Sequence, residues 1–296
     1  MKGKIIKGVG GFYYVHLQHV INQNNLYECK AKGVFRNKSI KPSVGDNVDI
    51  EILDEETCTG NIVKIFEREN ELIRPAVANV DQAVIIFSVT QPEPNFNLLD
   101  RFLIMMERQS VPTIICLNKS DLTDSDKIYE IKDIYEKCGY KVFITSTYEG
   151  VGIDEIKKII ANKTTVFAGP SGVGKSSLLN SLTSQVQVAT GSISEKIKRG
   201  KHTTRHSELM FVGDDTFIMD TPGFSSLFID EEDPNNIKTY YGEFDAYMSS
   251  CRFNGCVHIS EPGCGVKTAL EDGLISRLRY DNYKQLYEEQ KSKRRW

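Results

Sequence analysis

The chain has 296 residues, 40% of them hydrophobic and 26% charged, with a formal net charge of −3. That length accommodates two or three domains with cores of their own, and a slightly acidic total leaves room for a local nucleic-acid patch. No apolar run approaches a membrane span, the N-terminus "MKGKIIKGVGG" lacks the apolar core of a signal peptide, and seven unevenly spread cysteines argue against a disulfide framework. These features point to a cytoplasmic protein with no membrane contact.

Residues 1–68 alternate short β-rich runs with turn signals. "GKIIKG", "FYYVHL", "LYECKAKG", "NVDIEIL" and "GNIVKIF" predict five strands, separated by "QNN", "KPSVGD" and "DEETCTG". Five short strands predict a small barrel of the oligonucleotide-binding (OB) type, and an SH3-like barrel fits the same pattern. From about residue 69 strands alternate with helices. The run "QAVIIFSV" precedes the helical repeat "NLLDRFLIMMERQ". Next come the strand "TIICLN", a helix around "IYEIKDIYEKCG", the strand "KVFITS", the helix "IDEIKKIIA" and the strand "TTVFAG". "SELMFV" and "TFIMD" predict a hairpin about Gly213-Asp214-Asp215. Residues 69–230 thus predict a doubly wound α/β sheet. Residues 231–296 are polar, carry clustered cysteines and end in a charged helix.

Gly169-Pro170-Ser171-Gly172-Val173-Gly174-Lys175-Ser176 fits G-x-x-x-x-G-K-[ST] between an apolar strand and the helix "SSLLNSL", and Ser177 is counted with it. Glycines let the backbone wrap phosphates, and amides with the helix N-terminus bind the anion. Lys175 is expected to bridge the β- and γ-phosphates and Ser176 to bind Mg²⁺. Asp220-Thr221-Pro222-Gly223 ends a strand, where Asp220 can hold Mg²⁺ through water and the Gly223 amide can sense the γ-phosphate. Asn118-Lys119-Ser120-Asp121 follows the strand "TIICL". The Asp121 carboxylate can accept from the N1–H and amine of guanine, a donor pair adenine lacks. Asn118 would tie loops together and the Lys119 stem would cover the base. The strand end at Thr145-Ser146-Thr147 is expected to offer a backbone N–H to guanine O6, with Ser146 assigned. The base-reading motif precedes the phosphate loop here, the reverse of the usual order. Because every loop lies at the C-terminal edge of one sheet, a circular permutation leaves the chemistry intact.

Cys251-x4-Cys256-x-His258-x5-Cys264 gathers three thiols and an imidazole within fourteen positions. Four soft ligands predict one structural, tetrahedral Zn²⁺ in a region too poor in apolar residues to fold unaided. Cys29, Cys58, Cys116 and Cys138 lie on strand or helix patterns and read as ordinary core or surface residues. "KIKRGKHTTRH", between the phosphate loop and Asp220, lies where a switch loop belongs. Thr203 or Thr204 is expected to close on Mg²⁺ and the γ-phosphate, with Thr204 carried as the ligand. Its Lys and Arg, like those of the tail "KSKRRW", suit either RNA phosphates or solvent.

Taken together, the barrel, the permuted order, "GPSGVGKSSLLN", "RGKHTTRH", "DTPGF" and the cysteine cluster resemble the circularly permuted, ribosome-small-subunit-dependent GTPases (RsgA/YjeQ) along the whole chain. The resemblance implies three domains: an N-terminal OB barrel binding RNA (1–68), a central circularly permuted P-loop GTPase domain (69–230) and a C-terminal zinc-binding domain (231–296). It further implies a monomeric bacterial GTPase that binds the small ribosomal subunit and its rRNA. GTP hydrolysis, with Mg²⁺, would be stimulated by the ribosome and coupled to release in late maturation. A GTP-gated protein-binding switch and a P-loop kinase or ATPase are the competing readings. Phe224 stands where many GTPases place a water-orienting glutamine, so His202, beside the switch threonines, is the intrinsic candidate to position the attacking water.

Overall fold

The computed structural model describes residues 1–18, 25–33, 35, 41–73, 75–189, 208–221 and 232–293. The strands are β1 (Lys2–Val9), β2 (Phe12–Leu17), β3 (Leu26–Ala31), β4 (Asn47–Asp54), β5 (Thr59–Ile65), β6 (Glu71–Leu72), β7 (Val77–Ala78), β8 (Gln82–Ser88), β9 (Thr113–Asn118), β10 (Lys141–Ile144), β11 (Thr164–Ala168), β12 (Leu209–Gly213) and β13 (Thr216–Asp220). The α-helices are α1 (Phe96–Glu107), α2 (Ser125–Lys137), α3 (Ile153–Ile160), α4 (Lys175–Ala189), α5 (Asp245–Met248), α6 (Gly265–Glu271) and α7 (Arg277–Lys293). The chain divides into two units, Met1–Val84 with Gly152–Ala168 and Lys175–Gly223, and Ile85–Val151 with Gly169–Gly174 and Phe224–Trp296. The strand β8 begins in the first unit and ends in the second; the first unit holds the neighbouring strands β11-β13-β12 and the second β10-β9-β8.

In the first unit β1 to β5 close into a barrel in the order β1-β2-β3-β5-β4. Strand alternation sends Ile5, Val15, Leu17, Val48, Ile50 and Ile62 inward, where each is at most 2% exposed. The neighbours β1–β2, β2–β3, β1–β4 and β4–β5 are antiparallel, whereas β3 and β5 pair in parallel, Glu28 opposite Thr59. That parallel closure gives the barrel a Greek-key path of the OB type; an SH3-like meander would not require it. The same unit holds the hairpin β12–β13. Its turn residues Asp214 and Asp215 both take positive φ (41° and 54°), as a two-residue primed turn demands. The hairpin lies against the barrel: the His16 ring stacks on Phe211 at 4.0 Å, and Lys7 pairs with Glu208 at 2.8 Å.

In the second unit β9 and β10 run parallel, with Leu117 opposite Ile144. The helix α1 is capped by Asn95, whose side chain accepts from the Leu98 amide at 3.0 Å. Its inner face carries Leu99, Phe102 and Leu103 into the core. The C-terminal region departs from the sequence expectation of a segment without enough apolar matter. Tyr241, Phe244, Tyr280, Tyr283, Leu286 and Tyr287 join Ile237, Val266 and Ile275 in a buried cluster that also takes in Ile104 of α1. Hydropathy undercounts this core because tyrosine rings bury well once their hydroxyls are bonded. Tyr280 Oη donates to the His258 carbonyl at 2.6 Å and Tyr283 Oη to that of Val257 at 2.5 Å. A second bond between α1 and α7 is ionic. Arg279, 1% exposed, donates to Asp100 at 2.5 Å and to Glu243 at 2.8 Å, and its guanidinium lies 4.4 Å from the Tyr241 ring centre. Asp100 also accepts from Tyr135 (3.1 Å) and Asn282 (2.8 Å), so no charge in the group is left unpaired.

Candidate nucleotide site and metal centre

Asn118 to Asp121, the segment expected to read the base, lies in the second unit. The strand β9 delivers Asn118 to its end, and Lys119 then takes a left-handed φ of 63°, which turns the chain into a short 3-10 turn, Ser120–Leu122. Asn118 is wholly buried. Its Nδ2 donates to the Val173 carbonyl at 2.9 Å, and its Oδ1 accepts from Thr145 Oγ1 at 3.0 Å. One amide therefore stitches together the segment after β9, the segment after β10 and the glycine-rich loop. Lys119 Nζ donates to the Gln91 carbonyl at 2.5 Å, which stretches its aliphatic stem across the loop surface.

Asp121 is held from the side by Ser146, whose hydroxyl donates to Asp121 Oδ1 at 2.5 Å while accepting from the Glu149 amide at 3.1 Å. The expectation that Ser146 offers its backbone N–H is corrected here. That amide is spent on the Val151 carbonyl (3.0 Å), just as Thr145 N–H is spent on Leu117 O (2.9 Å). Ser146 contributes its hydroxyl instead, fixing the plane of the carboxylate.

Gly169–Gly174 of the glycine-rich loop belong to the same unit. Gly169 has φ 148°, and a Cβ there would lie 2.1 Å from the Ile86 carbonyl oxygen. Gly174 has φ 94°, and a Cβ would lie 2.3 Å from Asn118 Nδ2. Both positions need glycine because the loop runs flush against the structure beneath it.

Lys175, at the start of α4, lies in the first unit with Asp220, at the end of β13. Lys175 is 8% exposed, and burial lowers the pKa of its ammonium while the Asp220 carboxylate works the other way. Burial correspondingly raises the pKa of Asp220 and Lys175 opposes that shift. A partly desolvated ammonium beside a helix N-terminus is a setting that suits an anionic phosphate. Thr221 is pinned to β11: its amide and hydroxyl donate to the Phe167 carbonyl at 3.0 and 2.9 Å. His202, Thr203, Thr204 and Gly223, with the rest of the basic segment 196–206, lie outside the described residues.

Cys251, Cys256, His258 and Cys264 bring one ligand atom each within 4.8 Å of one another. Cys251 Sγ lies 3.6 Å from His258 Nδ1 and 3.9 Å from Cys264 Sγ, and His258 Nδ1 lies 3.4 Å from Cys264 Sγ. A tetrahedron with metal–sulfur bonds of ~2.3 Å and a metal–nitrogen bond of ~2.0 Å has edges of about 3.8 and 3.5 Å, so the cluster can hold a metal ion. Sequence patterning misses its supports. Besides the two tyrosine hydroxyls of α7, Lys238 Nζ donates to the Cys256 carbonyl at 2.8 Å. The Glu261 carboxylate accepts from the amides of Val257, Ile259 and Ser260 at 2.8 to 3.1 Å. The available signal was the spacing of Tyr280, Tyr283 and Tyr287, one face of a helix.

Comparison with known proteins agrees along the whole chain. Residues 2–62 match the RsgA N-terminal domain model and residues 65–230 the RsgA GTPase model. A protein of Agathobacter rectalis described as "Small ribosomal subunit biogenesis GTPase RsgA" is 57% identical over 302 residues, covering all of both chains. One of the same description from Alkaliphilus metalliredigens is 49% identical over 295 residues, covering all of this chain and 99% of the relative. Among solved structures, that of "YloQ, a circularly permuted GTPase" superposes with TM-score 0.80 at 38% identity, covering 99% of this chain and 95% of the other. YjeQ from Thermotoga maritima superposes with TM-score 0.80 at 34% identity, covering 98% of both chains. The chain belongs to the RsgA GTPase family, the circularly permuted enzymes that hydrolyse GTP.

Proposed function

We propose that this GTPase binds the small ribosomal subunit and its rRNA in the cytoplasm and assists late maturation, with hydrolysis stimulated by the subunit and coupled to release. The observation that carries the reading is full-length similarity, at 57% identity, to a relative described as a small ribosomal subunit biogenesis GTPase. On this reading the chain works as a monomer in three regions: the barrel (1–68) contacts RNA, residues 69–230 turn over GTP, and residues 231–296 form a zinc-stabilised domain.

Asp121 reads the guanine N1–H and amine, Lys119 covers the base, and Ser120 and Ser146 hold the reading loop. The Thr147 amide, next in line after the two that are spent, is the donor for O6. Gly169 to Ser177 wrap the phosphates, with Lys175 on their β- and γ-oxygens. Ser176, Asp220 and Thr204 are the groups that would hold Mg²⁺, which supplies charge neutralisation at the transferring phosphoryl group. Gly223 senses the γ-phosphate, and His202 positions the attacking water once the switch segment closes. The edge lengths among Cys251, His258 and Cys264, with Cys256 within 4.8 Å and no carboxylate among the four, suit a structural Zn²⁺.

Sedimentation with purified small subunits tests the function. The chain should co-sediment with a non-hydrolysable GTP analogue, leave with GDP, and show GTP turnover raised by added subunits. Nucleotide-independent sedimentation with unchanged turnover would replace this reading with a GTP-gated switch for a protein partner.

A further inference from the structure

We propose that Tyr148 is a base-stacking residue of the guanine site, the aromatic wall opposite the Lys119 stem. A solitary exposed tyrosine ordinarily means nothing. Tyr148 differs by its position and by the rigidity of what carries it. It is 89% exposed, the highest exposure among the large hydrophobic side chains of the described residues. It stands in a four-residue turn, 147–150, whose ends are clamped by the Ser146–Val151 bridge. Within that turn the Glu149 amide donates to Ser146 Oγ at 3.1 Å, and the same oxygen donates to Asp121 Oδ1 at 2.5 Å. The turn and the base-reading carboxylate are therefore one hydrogen-bonded body, and Tyr148 lies two residues from the atom that joins them.

A purine edge read in the plane of a carboxylate leaves both ring faces to be covered. Lys119 is tied by its ammonium to the Gln91 carbonyl at 2.5 Å, which makes its methylene stem a wall for one face. The Ser146–Val151 turn is bonded to the same carboxylate, and Tyr148 is its one aromatic residue to cover the other face. Tyrosine has two side-chain torsions to fix, so ordering it on a base costs little. Stacking recognises any π-face, so the residue supplies affinity while Asp121 supplies the choice of base. The inference rests on the guanine-site reading above.

The test is titration of the full chain with fluorescent GDP and ADP analogues. Wild type should prefer the guanine nucleotide. Tyr148→Ala should weaken GDP about five- to a hundredfold, from the roughly 1–3 kcal/mol of a base–aromatic stack, without changing the ratio of GDP to ADP affinities. Tyr148→Phe should bind as wild type, because the ring and not the hydroxyl is used. Tyr148→Trp should report GDP directly by quenching of the new indole. If wild type prefers GDP and Tyr148→Ala binds it as tightly, the stacking role is overturned while the base-reading assignment stands. If wild type shows no preference for guanine, the base-reading assignment falls and the stacking role with it.

Discussion

Asp121 and His16 show how differently two polar side chains can be legible. Asp121 announces itself by motif, and the structure adds the hydrogen bond from Ser146 that fixes its carboxylate plane. Asp121→Asn should weaken GTP binding and admit xanthosine triphosphate, whose C2 oxygen accepts from the new amide; competition by the two nucleotides in a turnover assay checks it. His16 sits in an unremarkable strand pattern, yet its Nδ1 is buried without a hydrogen-bond partner among the described residues and its ring lies on Phe211. Burial lowers its pKa to about 4, with the Asp215 carboxylate opposing. The unfolded chain therefore binds a proton below about pH 6.5 that the folded chain refuses until about pH 4. Stability contributed by neutral His16 is complete above pH 6.5 and is lost as pH falls through that window, by up to about 3 kcal/mol. His16→Phe keeps the stack and should flatten this part of the profile, read from urea unfolding at pH 7, 5.5 and 4.5. An unchanged slope would mean that His16 is protonated in the fold.

At the scale of elements, α1 and α7 are joined by a buried ionic group that no local pattern reveals, because Asp100 and Arg279 are 179 positions apart. Either residue alone reads as the polar side of a helix. Only the packing of α7 against α1 turns them inward, and once inward neither tolerates loss of the other. Arg279→Met should cost about 3–5 kcal/mol, seen as a lower urea midpoint, because Asp100 is left charged and buried. Asp100→Asn combined with Arg279→Met should recover much of that loss; a double variant no better than the single would show that packing on Tyr241, and not charge, is what Arg279 provides. The cysteine knuckle depends on the same helix through the hydroxyls of Tyr280 and Tyr283. Cys256→Ser should therefore release the bound metal and loosen mainly the region after residue 240, with GDP binding retained. Metal analysis and limited proteolysis together check it, and protein purified without chelator that holds no zinc would remove the assignment.

For the molecule as a whole, the barrel is expected to be required for stimulation and dispensable for chemistry. Deleting residues 1–68 should abolish most stimulation by small subunits and leave intrinsic GTP binding. The deletion uncovers Phe211 and Phe217 on the β12–β13 hairpin, so the truncated chain is best made with Phe211→Ser to limit aggregation. Stimulation equal to that of the full chain would show that the barrel has no part in it.

The glycine-rich loop, the turn after β9, the hairpin and the cluster of three cysteines and a histidine were legible in the amino-acid order. Their chemistry is local: a few residues at fixed spacing, each flanked by its own strand or helix signal. Barrel type was not legible, since five alternating strands suit two architectures and only the parallel pairing of β3 with β5 separates them. The spending of the Ser146 amide was hidden for the same reason, because its partner Val151 is chosen by how the turn closes. The aromatic core beneath the knuckle escaped because residues that look amphipathic in isolation become core when distant carbonyls accept their hydroxyls. Sequence determined which groups this protein owns; the tertiary structure decided which of them are already satisfied by one another, since a hydrogen bond between distant segments leaves no mark on either.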